Sequence, residues 1–266
     1  MRDVLALAYH AVSPTWSAGL SVKPDRLEAQ VRALLDRGYR GATVSEAAHV
    51  APAGKTMVVT FDDAYRSVFR FAFPVLERLG VPATVFVPTA FAGSDRPMSW
   101  PGIDRWLGGP DEDELVPMDW DELGQLAEAG WEIGSHTCSH PLLTTIDDAA
   151  LDAELRDSRA TCEQRLGRPC PTLAYPYGDQ DERVVRAVRA AGYEVACTTP
   201  TDLGSRGPLL WPRVGIYHDE SELTFRAKVS PVVRRVRTTP VWPLVARALL
   251  RVRGRSEPLP SGPTTS

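Results

Sequence analysis

The chain has little of what would place a protein in a membrane, in a disulfide framework or on nucleic acid. Its 266 residues contain no run of about 18 apolar residues, so no membrane-spanning helix is expected. Its four cysteines include no CxxC pair, and we expect them to be small buried side chains rather than disulfide partners. The net charge of −4 gives no general affinity for nucleic acid. These features indicate a globular protein of ordinary composition, with 43% hydrophobic and 24% charged residues.

The two ends of the sequence carry separate predictions. The stretch from Met1 to His10 is too short and too quickly polar for a secretory signal, so we interpret it as the first strand of a cytoplasmic protein. Between residues 222 and 257 lie nine Arg and Lys residues and no acid, which leaves −13 on the rest of the chain. Residues 231–255 are therefore predicted to be a basic amphipathic segment, either on an anionic membrane surface or packed as a last helix. The Pro-, Ser- and Thr-rich residues 256–266 are predicted to be disordered.

The first 230 residues alternate short apolar runs with longer amphipathic ones. The predicted strands are rich in Val, Leu, Thr and aromatic residues: Val4–Tyr9, Ala42–Val44, Met57–Phe61, Ala83–Val87, Trp131–Gly134, Thr172–Tyr175, Glu194–Thr198 and Leu210–Ile216. The predicted helices are each followed by glycine: Pro24–Arg37, Arg66–Leu79, Trp120–Ala129, Asp147–Leu166 and Asp181–Ala191. About eight strands in β–α order predict an α/β fold, a distorted (β/α) barrel with parallel strands, for residues 1–230.

One long segment, Ala90–Pro117, interrupts this alternation with Gly, Pro, Asp and Trp. A long connection after a strand is typical of a loop over a functional site, or of a loop that is merely mobile. Its Trp100 and Trp106 would suit stacking on sugars if they are exposed, and would anchor the loop if they are buried. The sequence leaves both roles open.

Four groups of chemically useful residues follow predicted strands. They are His10, the pair Asp62-Asp63, the histidines His136 and His140, and the turn Tyr175–Gly178. Because the C-terminal ends of parallel strands form one rim of a barrel, residues far apart in sequence are expected to meet there. This convergence predicts an active site at the C-terminal ends of the strands.

The residue types in these groups suit a metal ion that activates water. His136 and His140 have i, i+4 spacing, and with one carboxylate of Asp62-Asp63 they form a ligand set for zinc or a similar cation, with one position left for water. The other carboxylate would face that water as a general base. Each group also has a simpler interpretation: the aspartates cap a loop or helix, and the histidines are ordinary polar side chains.

Two further positions carry weaker signals. The turn Pro176-Tyr177-Gly178 occurs in many proteins, and its functional interpretation is that the backbone N–H of Tyr177 is aimed at a developing oxyanion. His10 is either a satisfied histidine at a strand end or a general acid that protonates a departing amine. His49 and His218 lack such neighbours and are predicted to be surface residues.

The segments Thr60–Asp63, Ser135–His140 and Tyr175–Gly178 resemble, in order, the motifs of the polysaccharide deacetylases, the NodB-like carbohydrate esterases. The resemblance covers roughly residues 1–230. It implies a distorted (β/α) barrel and removal of acetyl groups from N-acetylated sugars or from acetylated xylan. It also implies one divalent cation, usually Zn²⁺, with Co²⁺, Ni²⁺, Fe²⁺ and Mn²⁺ as alternatives.

Matching the motifs residue by residue gives each position an expected role. By this resemblance Asp62 is the catalytic base, and Asp63, His136 and His140 are the metal ligands. Tyr177 supplies the N–H for the oxyanion.

The position of the acid histidine separates this chain from the usual family pattern. The family has a Leu-x-His segment near its C-terminus, and none follows Tyr177 here, whereas Leu7-Ala8-Tyr9-His10 stands at the front. This order resembles the circularly permuted branch, which includes deacetylases of poly-N-acetylglucosamine. The resemblance makes His10 the acid.

Two further departures concern the surroundings of the base. Ala64 stands where glycine is usual, and Ala174 stands where many members have an arginine that steadies the base. Arg213 is predicted to take over that role. The residues expected to contact substrate are Tyr175, Pro176 and Trp211.

The predicted function is metal-dependent hydrolysis of acetyl groups from N-acetylated sugars. The expected partners are an N-acetylated oligosaccharide, polysaccharide or lipid-linked sugar, with no nucleic acid. Two alternatives stay open: a hydrolase of another amide or imide on the same scaffold, and a non-catalytic carbohydrate-binding module.

Overall fold

A computed structural model of the chain describes residues 3–49, 54–200, 203–204, 207–218, 220–239 and 242. Within these residues nine strands form one sheet with parallel pairing, in the order β10-β9-β8-β7-β6-β5-β1-β11, and β4 pairs with the first half of β5. The strands, including the separate pair β2–β3, are β1 Asp3–Tyr9, β2 Ala11–Val12, β3 Ser21–Val22, β4 Tyr39–Ala42, β5 Lys55–Phe61, β6 Ala83–Val87, β7 Glu132–Ser135, β8 Thr172–Ala174, β9 Val195–Thr198, β10 Trp211–Pro212 and β11 Val214–Gly215.

Helices connect most of the successive strands. They are α1 Pro24–Leu35, α2 Val44–His49, α3 Phe73–Leu79, α4 Trp120–Glu128, α5 Asp148–Leu166, α6 Glu182–Ala190, α7 Glu222–Lys228 and α8 Pro231–Arg237. The turn of π-helix Val68–Ala72 leads into α3. In the part of the chain that the structure describes, no helix has the length and apolar character needed to cross a membrane.

The sheet closes on itself almost completely. The strands β10 and β11 lie at opposite edges of the sheet, yet only Arg213 separates them in the chain. Because one residue joins the two edges, the sheet must curl into a nearly closed barrel. The prediction of a distorted (β/α) barrel is therefore confirmed, and the single predicted strand Leu210–Ile216 is two short strands with Arg213 between them.

The predicted strand Ala42–Val44 was wrong in its bounds. Strand β4 ends at Ala42, and helix α2 begins at Val44. The cause is a capping box: the Thr43 N–H donates to the Glu46 carboxylate at 2.9 Å, and the Glu46 N–H donates to the Thr43 hydroxyl at 3.3 Å. This T-x-x-E signal was present in the sequence and was missed.

The two faces of the strands pack in different ways. Alternate residues such as Leu7, Val59 and Val85 belong to the large cluster that also contains buried residues of α1 and α4. The other set, which includes Val58 and Phe86, belongs to a small cluster with Val44 and Ala47 of α2. Helix α2 therefore packs on the inward face of the strands, whereas α1 and α4 pack on their outward face.

The hydrogen bonding of the sheet continues into the residues just beyond the strands. The Asp62 N–H donates to the Tyr9 carbonyl at 2.9 Å, and the His136 N–H donates to the Val87 carbonyl at 2.9 Å. The Arg213 N–H donates to a neighbouring strand in the same way, at 2.9 Å. The backbones of these predicted site residues are therefore fixed by the barrel itself.

The C-terminal predictions are described only in part. Helix α8 covers Pro231–Arg237 and begins the predicted basic segment 231–255. Arg234 of α8 binds the Asp3 carboxylate at 2.5 Å and the Val4 carbonyl at 3.1 Å, so this helix is tied to the start of β1. The remainder of the segment, apart from residues 238, 239 and 242, lies outside the described residues, as does the whole predicted tail 256–266.

Candidate active site

Left-handed backbone conformations of non-glycine residues are concentrated at one end of the barrel. Five such residues occur in the described chain, with φ between 53° and 69°: Asp63, Ala64, Thr137, His140 and Tyr177. Each conformation costs an L-residue roughly 1–2 kcal/mol. All five lie in the three turns that follow β5, β7 and β8, which is typical of a functional site.

Three buried side chains from these turns place their ligand atoms around one point. The possible ligand atoms of Asp63, His136 and His140 all lie within 4.8 Å of one another. Asp63 Oδ1 is 3.4 Å from His136 Nε2 and 3.4 Å from His140 Nε2. The edge of a tetrahedron with zinc–ligand bonds of the usual length is about 3.3 Å, so both separations suit ligands that share one ion.

The orientation of His136 is set by a backbone carbonyl. Its Nδ1 lies 2.8 Å from the carbonyl oxygen of Ala174, an acceptor, so Nδ1 carries the proton. Nε2 is then left to face Asp63. Proteins usually fix the ring of a metal-binding histidine by such a hydrogen bond from its other nitrogen. The acceptor, Ala174, is the residue at the position where many family members have arginine.

The second histidine is held between two aromatic rings. Trp100 stacks on the His140 imidazole with ring centroids 4.2 Å apart, and Tyr177 meets it edge-on at 4.6 Å. Burial lowers the pKa of His140 to about 3, and it outweighs the opposing charge of Asp63. His140 is therefore neutral at physiological pH, as a metal ligand must be.

One oxygen of the carboxylate between the histidines lacks a hydrogen-bond partner. Asp63 Oδ1 is buried and makes no hydrogen bond to any residue that the structure describes. Burial alone would raise the pKa of Asp63, but the neighbouring imidazoles of His136 and His140 hold it below its usual value. An ionised, unpartnered oxygen beside two imidazoles fits a divalent cation.

Asp62 faces Arg213 in a buried, two-pronged ion pair. Arg213 donates from Nη1 to Asp62 Oδ1 at 2.6 Å and from Nη2 to Oδ2 at 2.8 Å, and Nη1 also donates to the Thr60 hydroxyl at 2.7 Å. Burial would raise the pKa of Asp62, but the charges of Arg213 and then His136 hold it well below its usual range. The carboxylate is therefore ionised and fixed in orientation by Arg213.

His10 lies at the same end of the barrel as both aspartates. It directly follows Tyr9, whose carbonyl accepts a hydrogen bond from the Asp62 N–H at 2.9 Å. The ring is half-buried, and Nδ1 is buried without a hydrogen-bond partner among the described residues. His10 therefore belongs to the same group of side chains as the predicted base and ligands.

The sequence comparison identifies the family. The sequence profile described as polysaccharide deacetylase matches residues 49–196, which is more than half of the chain. The chain belongs to the polysaccharide deacetylase family. The matched stretch contains Asp62, Asp63, His136, His140 and Tyr177, whereas His10 and Arg213 lie outside it.

Two relatives illustrate how far this likeness extends. The chain is 27% identical over 205 residues to YxkH of Bacillus subtilis, whose name assigns it to the polysaccharide deacetylases; the match covers 75% of this chain and 66% of that protein. It is 23% identical over 185 residues to the poly-beta-1,6-N-acetyl-D-glucosamine N-deacetylase of Staphylococcus aureus, which covers 65% of this chain and 59% of the relative. The chain thus spans less than two thirds of the length of both relatives.

Solved structures show the same fold. A polysaccharide deacetylase from Bacillus cereus superposes with a TM-score of 0.71 and 25% identity, covering 86% of this chain and 69% of that one. The Streptococcus pyogenes deacetylase PplD, in complex with acetate, superposes with a TM-score of 0.71 and 22% identity, covering 86% and 99%. These matches agree with the nearly closed parallel barrel described above.

The three predicted substrate contacts, Tyr175, Pro176 and Trp211, differ in their surroundings. Tyr175 is buried, and its hydroxyl donates to the Leu209 carbonyl at 2.9 Å. Pro176 is buried as well. Trp211 lines a cavity together with Val4 and Lys55, which lie near the N-terminal ends of β1 and β5. Substrate contact by Tyr175, Pro176 and Trp211 stays a prediction.

The structure also gives the surroundings of Tyr177, Cys138 and His49. Tyr177 is 41% exposed beside His140, and its hydroxyl donates to the Pro101 carbonyl at 3.3 Å. Cys138 is turned away from the ligands, with Sγ 3.6 Å from the Glu154 carbonyl, and all four cysteines are unpaired. His49 is exposed beside Glu194, as predicted.

Sequence reasoning missed two residues that support the ligands. Trp100 was recognised as a possible anchor, but nothing in the sequence linked it to His140. Glu154 of α5 accepts hydrogen bonds from the backbone N–H groups of Cys138 and Ser139 at 2.7 and 2.9 Å, which holds the turn between the two histidines. Its only sequence signal was an acid on a helix surface, which is too common to be informative.

Proposed function

We propose that this chain hydrolyses acetyl groups from N-acetylated sugars, using one divalent cation held by Asp63, His136 and His140. The observation that supports the proposal is the convergence of these three buried ligands beside an ionised Asp62. Membership of the polysaccharide deacetylase family agrees with it. The chain spans only part of the length of its relatives, so we propose rather than transfer the activity that their names describe.

The bound cation would supply a Lewis acid and a water molecule of lowered pKa. Zn²⁺ is the first choice for a His, His, carboxylate set, and Co²⁺, Ni²⁺, Fe²⁺ and Mn²⁺ are the alternatives. Asp63 contributes one negative charge, and His136 presents Nε2 because its Nδ1 is bound to a carbonyl.

Asp62 is the base in this proposal. Its carboxylate remains ionised because Arg213 holds it, so it can accept a proton from an attacking water over a wide pH range. Arg213 also keeps the carboxylate from rotating, since both guanidinium nitrogens are engaged with it. The arginine is a positioning residue that acts through Asp62.

Two further residues would complete the reaction. The backbone N–H of Tyr177, set by its left-handed conformation, would donate to the oxyanion that forms at the acetyl carbon. His10 would give a proton to the departing nitrogen, so that acetate and a free amine are released. Both roles follow from position on the rim beside Asp62 and Asp63.

The test is acetate release from chitooligosaccharides and from poly-β-1,6-N-acetylglucosamine by protein loaded with Zn²⁺ or Co²⁺. We expect release by the loaded protein and none after chelation. Asp63→Ala should lose both bound metal and activity, whereas Asp62→Asn should keep the metal and lose turnover by about 10²–10⁴-fold. A loaded protein that binds these sugars without turnover would favour a carbohydrate-binding module, and turnover only of other amides or imides would favour the second alternative.

Lipid-linked acetylated sugars belong in the same substrate series, because the basic segment 231–255 is proposed to contact an anionic membrane surface from the cytoplasmic side. We expect the full chain to co-sediment with vesicles containing anionic lipid, and a chain ending at Thr239 to stay in solution. Truncation at Thr239 keeps α8, which is bound to Asp3 and Val4. Equal co-sedimentation of both chains would contradict this contact.

A further inference from the structure

The turn that carries Tyr177 is bound to the segment that follows His140. Asp179 stands directly after this turn, and its Oδ2 accepts a hydrogen bond from the Thr144 N–H at 2.8 Å. The Thr144 hydroxyl lies 3.0 Å from Oδ1 and 2.9 Å from Oδ2 of the same carboxylate and donates to it. The two residues are 35 positions apart in the chain, so the contact is tertiary and not part of a local turn.

Arg183, in the first turn of α6, binds the same segment. Its Nη2 donates to the carbonyl oxygens of Leu143 at 3.0 Å and Thr144 at 3.3 Å, and its Nη1 donates to the Asp148 carboxylate at 2.8 Å. Residues 141–147, all of which the structure describes, form turns rather than a helix or strand. Because such a segment lacks the regular backbone hydrogen bonds of a helix or strand, side-chain contacts decide where it lies.

The backbone of Tyr177 needs a restraint of this kind. Its φ of 57° is left-handed, a conformation that an L-residue keeps only where its surroundings determine it. The Tyr177 side chain is a weak restraint, because it is 41% exposed and its hydroxyl contact with the Pro101 carbonyl is 3.3 Å long. Asp179, two residues further on, makes shorter hydrogen bonds with a carboxylate, and hydrogen bonds to a charged acceptor are the stronger kind. Asp179 is therefore the firmer attachment of this turn.

The contact between Asp179 and Thr144 links two groups that the proposed reaction uses together. Thr144 lies four residues after His140, a candidate metal ligand, and Asp179 lies two residues after Tyr177. The Tyr177 ring also meets the His140 imidazole edge-on, with centroids 4.6 Å apart. Two contacts thus join the candidate metal ligand to the turn with the proposed oxyanion donor.

We propose that Asp179 is a positioning residue whose carboxylate, bound by Thr144, keeps the Tyr177 N–H in the direction of the oxyanion. The inference rests on the proposed function, because it takes the Tyr177 N–H as the oxyanion donor. Loss of an oxyanion donor typically lowers kcat by about 10²–10³-fold. A donor that stays in the chain but is poorly held is expected to cost about 10–100-fold.

The experiment compares Asp179→Ala with Asp179→Asn and with the matched control Asp181→Ala. Asparagine keeps one side-chain oxygen that can accept from Thr144. Asp181 lies in the same connection, but its carboxylate accepts from the Val184 N–H at 2.8 Å and caps α6 instead.

The Zn²⁺-loaded proteins give kcat and KM for acetate release from chitooligosaccharides. Competition with a chromogenic chelator gives the Zn²⁺ affinity. Two measurements use the metal-free proteins: amide hydrogen exchange across residues 175–179 reports how firmly the turn is held, and urea unfolding reports overall stability.

We expect Asp179→Ala to lower kcat by about 10–100-fold and to speed amide exchange across residues 175–179, with KM and Zn²⁺ affinity unchanged. Asp179→Asn should recover part of both effects. Asp181→Ala should unfold at a lower urea concentration while kcat and the exchange across residues 175–179 stay as in wild type. A merely structural role of Asp179 would lower stability without this split between kcat and Zn²⁺ affinity.

An unchanged kcat in Asp179→Ala, with or without faster amide exchange, would overturn the inference and leave the proposed function standing. A loss of Zn²⁺ affinity as large as the loss of kcat would overturn it too, because Asp179 would then act through His140. Equal losses of kcat in Asp179→Ala and Asp181→Ala would have the same consequence, since a general loosening before α6 would be the cause. Wild type that binds Zn²⁺ but releases no acetate would overturn the proposed function, and this inference with it.

Discussion

At the residue scale, the Asp62–Arg213 pair is the most constrained interaction in the site. Both side chains are almost fully buried, and both guanidinium nitrogens contact the carboxylate. Buried ion pairs are often no more stabilising than apolar residues of the same volume. We therefore attribute a functional role to this pair: it keeps an ionised carboxylate in one orientation beside the candidate metal ligands.

Removing one partner of this pair leaves a buried charge without compensation. We predict that Arg213→Met lowers the free energy of unfolding by about 3–5 kcal/mol and abolishes acetate release. Urea unfolding gives the first quantity. The control is Arg226→Met, which removes an exposed i, i+4 pair with Glu222 and should change little. Equal effects of the two substitutions would contradict the importance of the buried pair.

The same pair gives a signed pH dependence. The pKa of Asp62 is lower in the folded protein than its usual value, so the unfolded chain takes up a proton first as pH falls. The stability that ionised Asp62 contributes is present above about pH 4 and is lost below it. We predict that the difference in unfolding free energy between wild type and Asp62→Asn narrows from pH 5 to pH 3. Parallel curves over that range would argue against a depressed pKa.

At the scale of elements, short capping signals fix where the helices begin and so where the site-bearing turns lie. Helix α4 begins with a capping box in which the Glu122 N–H donates to the Asp119 carboxylate at 2.8 Å and Glu122 accepts from the Asp119 N–H at 2.9 Å. Just before it, the Met118 N–H donates to the carbonyl of Ala64, in the turn that carries Asp63. The start of α4 is thus joined to the turn that carries Asp63.

We predict that Asp119→Ala lowers the free energy of unfolding by about 1 kcal/mol, because the first turn of α4 loses its side-chain acceptor. Chemical denaturation measures the change. The neighbouring exposed Asp121, in the same first turn, serves as the control, and Asp121→Ala should have a smaller effect. If the two substitutions are equally destabilising, the cap is not what stabilises the start of α4.

The sequence predicted the strands that bear the site because buried runs of Val, Leu and Thr are unambiguous at that length. It also predicted that Asp62, Asp63, His136 and His140 would meet, since parallel strands share one rim. It did not predict that Trp100 stacks on His140, because such a contact depends on tertiary packing. The predicted strand Ala42–Val44 differs from the observed β4 and α2 because it includes Thr43, which forms the capping box of α2.

At the scale of the whole molecule, ligands from two turns of a nearly closed barrel should couple metal binding to global stability. Asp63 follows β5, and His136 and His140 follow β7, so unfolding separates the ligands. A ligand that binds only the folded state at 100 times its Kd stabilises by about 2.7 kcal/mol. We predict that Zn²⁺ raises the Tm of the metal-free protein by several degrees, and that Asp63→Ala removes this rise. An equal rise in the variant would place the ion elsewhere.

We propose that Asp63, His136 and His140 hold one ion beside Asp62. Anomalous diffraction at the zinc edge from crystals of the Zn²⁺-loaded protein would locate this ion. We predict one strong peak bonded to a carboxylate oxygen of Asp63 and to Nε2 of both histidines, with Asp62 still paired to Arg213. A peak bonded to other residues, or no peak among these three in crystals that contain zinc, would contradict it.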